Sequence, residues 1–328
     1  MKVNILQKMK SLATLVLAIF TISAFAQDIN QAGEIYNQGN QAVKDGNYEA
    51  AIQKYEKSIE IASALGAEGE QIVAGAKKQI PSLYYKMGAA DYKTKDFDKA
   101  ISEFEKAIEA GNKYGDTETV EKSKKIIPKL YYAKGNALYK AKKYDEALTT
   151  FKQSAEMNPK YCRAQWGMGL AYNKLKNYDE MDNSFDAALK LAEANGDNKM
   201  ISKIKSTAKR LLQAEGANKL QAQDWNGALK LLNASLKYND TDKDTYYYLA
   251  LAYNGQKNHD KALETAQKGL DLSKDENNEY KAKFYYEMGN AYKGKGMTKE
   301  ACEAFTNARY GRFVEGADYE LKTVLKCN

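Results

Sequence analysis

A single histidine, His259, and three cysteines, Cys162, Cys302 and Cys327, are the most chemically versatile side chains in this sequence of 328 residues. Histidine supplies much of the acid-base chemistry near neutral pH and many transition-metal ligands, so one copy removes the commonest catalytic and metal toolkits. No GxxxxGKS phosphate loop, CxxC pair or HExxH motif occurs, and no cofactor is expected. Carboxylates are plentiful, and counting alone does not exclude a paired-acid hydrolase. What is abundant is interaction chemistry, with 25 Tyr and 50 Lys plus Arg. Tyrosine offers a large rigid contact area with a polar tip, and Lys and Arg meet carboxylates. Such side chains act as a surface only if regular elements align them.

The first residues are of a different kind. Lys2, Lys8 and Lys10 lead into an apolar run from Leu12 through Phe20, which closes on Ala24-Phe25-Ala26. This is the layout of a secretory signal peptide, and the run is shorter than the ~20 residues that span a bilayer. Residues 1–26 are therefore expected to be removed, leaving an exported, soluble protein, periplasmic or secreted, with no integral membrane segment. Loss of the three Lys lowers the formal charge from +7 to +4. No Lys/Arg run stands out, so nucleic acid is not an expected partner.

Beyond residue 26 one frame recurs seven times. A small residue is followed nine positions later by an aromatic in most copies, twelve later by a second small residue and sixteen later by a large apolar residue. The copies begin at Gly39, Gly88, Gly135, Gly169, Gly216, Ala250 and Gly289, and in the third Gly135 is followed by Tyr144, Ala147 and Phe151. Two copies depart from the frame. Met181 stands where the fourth should have a small residue, and Ala266 where the sixth should have a ring.

These residues resemble the tetratricopeptide repeat, a helix-turn-helix unit of about 34 residues, across nearly all of the chain after residue 31. The resemblance implies an all-α, right-handed superhelical solenoid of about seven such units over residues 27–311. Residues 312–328, with Ala317, Leu321, Val324 and Leu325 on one helical face, are expected to form a C-terminal capping helix. In the family's frame the recurring Gly or Ala is position 8, and Pro81 and Pro128 fall at position 1. Successive position-8 residues are 49, 47, 34, 47, 34 and 39 apart, so three units carry insertions. The stretch Ile201, Ile204, Ala208 and Leu211 that follows one of them is amphipathic, so lengthened first helices are expected.

The family implies a concave groove lined by positions 2, 5, 9, 12 and 13 of each first helix, taking extended peptides or partner helices. Positions 5, 9, 12 and 13 do share one helix face. Position 5 is Tyr36, Tyr85, Tyr132, Trp166, Tyr247 and Tyr286, with Gln213 in the fifth copy. Position 9 adds Asn40, Asn136 and Asn290, and position 13 adds Lys44, Lys93, Lys140 and Lys174. The rings serve either as binding surface or as packing, and the lysines either as carboxylate contacts or as a solvated stripe. Cys302 lies early in the last second helix and Cys327 near the end of the cap; antiparallel packing would bring them together, which makes them the candidate disulfide. Cys162 is then a free or buried thiol, and His259, at the aromatic position 17, a packing residue.

The expected function is a non-catalytic scaffold that binds a partner protein or peptide, with a place in an envelope complex as one form of it. The alternative is a ligand-sensing or envelope-glycan-binding module, since aromatic ladders also stack on sugars.

Overall fold

The computed structural model describes residues 27–327, so the proposed signal segment 1–26 lies outside the described residues. Helices follow one another in antiparallel pairs, and no strand occurs among the described residues. They are α1 (27–44), α2 (Tyr48–Ser63), α3 (Glu70–Lys93), α4 (Phe97–Tyr114) and α5 (Thr117–Lys140). Next come α6 (Tyr144–Met157), α7 (Cys162–Lys174), α8 (Tyr178–Ala194), α9 (Asn198–Gln221) and α10 (Trp225–Leu236). The last are α11 (Lys243–Gly255), α12 (His259–Leu272), α13 (Asn278–Gly294), α14 (Thr298–Asn307) and α15 (Val314–Tyr319). Odd-numbered helices through α13 are the first helices of the seven repeats. Two compact units divide within α5, one through residue 137 with 156–158, the other comprising 138–155 and 159–328.

The glycine frame is a packing device. A Cβ at Gly39 would stand 2.9 Å from the Tyr55 ring, at Gly88 2.9 Å from Phe104, at Gly169 2.7 Å from Phe185 and at Gly289 2.8 Å from Phe305. Position 8 thus has no side chain because the residue at position 24 of the second helix occupies its place. Those position-24 rings are 0–1% exposed. In the fifth copy Leu232 takes the same seat against Gly216, at 2.8 Å. In the sixth, where position 8 is Ala250, Ala266 supplies no ring, and Phe284 of the next repeat lies against Gly269. Met181 is buried within the fourth unit without breaking its helix.

The turn between the two helices is the same in every copy. Its middle residue has positive φ: Gly46, Lys95, Lys142, Lys176, Gln223, Lys257 and Gly296. The next residue's N–H donates back across six residues, as from Asp96 to Asp91 O at 3.0 Å, which closes a Schellman end. That same residue caps the second helix where it can accept. Asn47, Asp96, Asn177, Asp224 and Asn258 each accept from the N–H three residues on.

Lengthening takes the expected form in α3, α5 and α9, each of 24 residues. Gly115 and Gly196, at φ +81 and +65, end the helices before α5 and α9, and Asp116 and Asp197 accept from the N–H groups of Thr119 and Met200. Pro81 and Pro128 sit inside continuous helices rather than at their starts. In α9 the buried stripe is Met200, Ile204, Ala208 and Leu212, while Ile201 and Leu211 are only half-buried. A strict spacing of four drifts around the helix, and this lets the extension and the repeat helix face different neighbours.

The C-terminal segment is not one helix. A 3-10 turn at Gly311–Phe313 leads into the short α15, and a π turn follows at Glu320–Val324. Ala317 and Leu321 cover Ala301, Phe305 and Ala308, but the wider turn leaves Val324 exposed. Cys302 and Cys327 are joined, with Cα atoms 6.0 Å apart.

Replacing Gly169 by Ala gains helix propensity of about 1 kcal/mol but drives a methyl group into a buried ring. The variant is expected to lose about 1–3 kcal/mol in urea unfolding despite the better helix former.

Candidate interaction surface

The position-5 rings are seated, not free. Tyr36 packs on Tyr55 at 5.4 Å between centroids, Tyr85 on Phe104 at 5.1 Å and Tyr286 on Phe305 at 5.4 Å, each ring tilted or edge-on to its position-24 neighbour. Tyr247 meets Phe284 at 6.4 Å. All of these Tyr residues and Tyr132 are half-buried, and Trp166 is 9% exposed. The fifth copy's Gln213 instead donates to Asp242 and Thr245, at 2.6 and 2.9 Å.

The helix extensions account for part of this burial. Gly75 of α3 lies against the Tyr36 hydroxyl, where a Cβ would be 3.0 Å away, and Lys203 of α9 holds its ammonium 4.1 Å from the Trp166 ring. Gly75 and Lys203 both stand six residues before position 1 of their repeats. The insertions therefore cover the preceding repeat's ring. Sequence spacing showed the insertions but not what they cover.

The asparagines divide. Asn40 accepts a hydrogen bond from Tyr55 at 2.7 Å and so supports the core ring. Asn290 bonds Glu287, and Asn136 is half-buried on α5. Lys44, Lys93, Lys140 and Lys174 are all exposed. In the last two copies position 13 is Gly255 and Gly294, and the rings of Trp225 and His259 lie against them. The packing role expected of His259 is where the structure puts it.

Lys283, at position 2, does not face the groove as a free cation. It is 8% exposed, ion-paired to Asp244 and 3.4 Å from the Tyr280 ring. Cys162 is free and buried; burial pushes its thiol up, against the weaker opposing effect of Arg163. Among the described residues no group of three His, Cys, Asp or Glu side chains is placed to hold a metal. No helix among them is long and apolar enough to cross a membrane.

One buried acid was not singled out by sequence. Glu287, at position 6 of the seventh copy, is 4% exposed, and Asn254 donates to its Oε2 at 2.9 Å. Burial raises its carboxyl above the usual value of 4.5, while Asn254 and Asn290 hold it down. A raised native value means that stability is greatest below the unfolded value and declines as pH rises through the native one. Glu287→Gln keeps the acceptor and removes the charge. It is expected to raise the melting temperature at pH 8, with the gain vanishing toward pH 4.

Comparison with known proteins bears on these repeats directly. A "TPR repeat" family model matches residues 135–176, one "Tetratricopeptide repeat" model matches 214–277, and another matches 81–112, 163–195 and 282–308. Together they fall on copies two to seven. No curated protein matches the chain. Among solved structures, MamA residues 41 to end from Desulfovibrio magneticus RS-1 is 28% identical, covering 55% of this chain and 92% of that one, with a TM-score of 0.34. YrrB, described as a TPR protein with an unusual peptide-binding site, is 20% identical over 55% of this chain and 84% of its own, with a TM-score of 0.34. The TPR2AB domain of yeast Sti1, solved with pHSP90, is 18% identical over 89% and 92%, with a TM-score of 0.29. Seven helix pairs in one frame, four of them closed by a glycine against a ring, and three matching repeat models place the chain in one family: it is a tetratricopeptide-repeat protein.

Proposed function

We propose that the chain is an exported, non-catalytic scaffold that binds a partner protein or peptide on the faces of its first helices. The observation that carries this reading is the state of the position-13 lysines. Lys93, Lys140 and Lys174 project from successive first helices, are exposed, and have no carboxylate of the described residues within ion-pair distance. Nearby acids are already engaged, Asp91 by Lys99 and Glu146 by Lys143. Cations left unpaired at the same repeat position suit an external partner better than they suit folding. The asparagines of the same face add paired donors and acceptors that match a peptide backbone.

The sugar-binding alternative requires open ring faces, and here the rings are occupied. Trp166 is covered by Lys203, and Tyr286 packs against both Phe305 and Phe313. Export rests on the layout of residues 1–26, and membership of an envelope complex is one setting for such a scaffold.

A photo-crosslinking residue at position 174 on α7, compared with one at position 190 on α8, tests the reading in cells that make the protein. Discrete protein adducts are expected from position 174 and not from position 190, whose lysine is 72% exposed. Identical adduct patterns from both positions, or none from either, would contradict the assignment.

A further inference from the structure

The C-terminal cap lies on the first helix of the last repeat, α13. The Phe313 ring sits 5.3 Å from the ring of Tyr286, at position 5, and Gly316 backs onto the Tyr286 hydroxyl, where a Cβ would stand 2.9 Å away. Glu320 is ion-paired at 2.6 Å to Lys293, at position 12. The seventh repeat's ring is thus covered, as Tyr36 and Trp166 are by Gly75 and Lys203. Those two covers are built into α3 and α9, continuous helices of 24 residues each. The cover of Tyr286 belongs to a helix of six residues with a 3-10 turn before it and a π turn after it.

Packing alone holds this segment weakly. A helix so short is well below the roughly 12 to 15 residues at which isolated helices become even marginal in water. Of residues 311–327 only Ala317 and Leu321 bury apolar side chains, while Val314, Tyr319 and Val324 are exposed. Glu320 is 9% exposed, and its Oε2 has no hydrogen-bond partner among the described residues, a desolvation cost that undocking relieves. What fastens the segment at its far end is the bond from Cys327 to Cys302 of α14. Closing a loop across 25 positions favours the docked form by about two orders of magnitude. The bond is also within reach of solvent. Both cysteines are half-buried and line a surface cleft of about 830 Å³ together with Lys299, Thr306, Leu325 and Lys326.

We propose that the Cys302–Cys327 bond is a redox latch. Joined, it holds the cap over Tyr286 and Lys293; reduced by a dithiol, it lets the cap undock and opens that face of the last repeat. A thiolate of the dithiol attacks one of the two sulfurs in the cleft, forming a mixed disulfide as the Cys302–Cys327 bond breaks. The other protein sulfur leaves as a thiolate, favoured by the Lys299 and Lys326 ammonium groups that line the cleft, and takes up a proton. The second thiol of the reductant then displaces the remaining protein sulfur. Two electrons and two protons pass to the chain, and the dithiol becomes a disulfide. In the exported setting proposed above the joined form is the resting one, and a reducing dithiol is the signal that opens it.

Hydrogen–deuterium exchange of the full chain, with and without dithiothreitol, tests the latch. After reduction the amides of residues 314–325 are expected to exchange at least about tenfold faster, while α7 to α12 keep their rates. Acetylation of Lys293 on the folded chain should rise several-fold in the same step, and that of Lys237 should not change. The variant Cys302→Ser/Cys327→Ser should show the fast rates at residues 314–325 whether or not dithiothreitol is present. A bond that dithiothreitol leaves intact in the folded chain would overturn the proposal, as would a cap whose exchange and Lys293 reactivity ignore reduction. Loosening that spreads through α11 to α14 would also overturn it, because the bond would then hold the fold rather than the cap. None of these outcomes touches the scaffold reading, whose adducts at position 174 are remote from the cap in sequence.

Discussion

A helix pair of this kind depends on how closely its two helices approach, and that distance is set where a glycine on one meets a ring on the other. A Cβ at Gly88 would stand 2.9 Å from Phe104 and one at Gly169 would stand 2.7 Å from Phe185, so any side chain there would displace a fully buried ring. Each glycine gives up helix propensity of about 1 kcal/mol, and burying the ring returns more. The position-5 tyrosines follow from the same contact. With the position-24 ring held near the backbone, its edge supports Tyr36, Tyr85 and Tyr286 from the neighbouring side.

Packing and recognition therefore share one helix face. The rings that would form a binding ladder also brace the repeat, and truncating them tests stability as much as binding. Charge separates the two roles more cleanly. Second helices α8 and α10 join through Lys230–Asp179 and Lys237–Asp182, and Tyr238 donates to Asp182 at 3.1 Å. First helices α7 and α9 keep cations without such partners. Exposed ion pairs contribute little to stability, at most ~1 kcal/mol each, so their uneven distribution bears more on recognition than on folding.

The frame of seven copies was legible because small and aromatic residues recur at fixed intervals, and the lengthened helices because Gly115-Asp116 and Gly196-Asp197 carry stop and start chemistry. Other features had no local signal. Nothing in Lys95, Lys142 or Lys176 announces a left-handed backbone, which only the seven-fold alignment with Gly46 and Gly296 reveals. The burial of Lys283 depends on Asp244 and Tyr280, one of them 39 residues away in sequence. The cover that Lys203 places on Trp166 depends on where an inserted turn lands, which spacing does not fix. Phe284 of the seventh repeat packs on Gly269 and Tyr247 of the sixth, a contact between repeats that a frame read one repeat at a time cannot show.

The central claim is that Lys174 and Lys199 on the first helices α7 and α9 are available, whereas Lys230 and Lys237 beside them are engaged by Asp179 and Asp182. Residue-by-residue rates of lysine acetylation, read by mass spectrometry on the folded protein, test it most directly. Lys174 and Lys199 are predicted to react several-fold faster than Lys230 and Lys237, whose side chains are 64% and 57% exposed and yet ion-paired. Uniform rates across the two layers, or faster reaction at Lys230 and Lys237, would contradict the account.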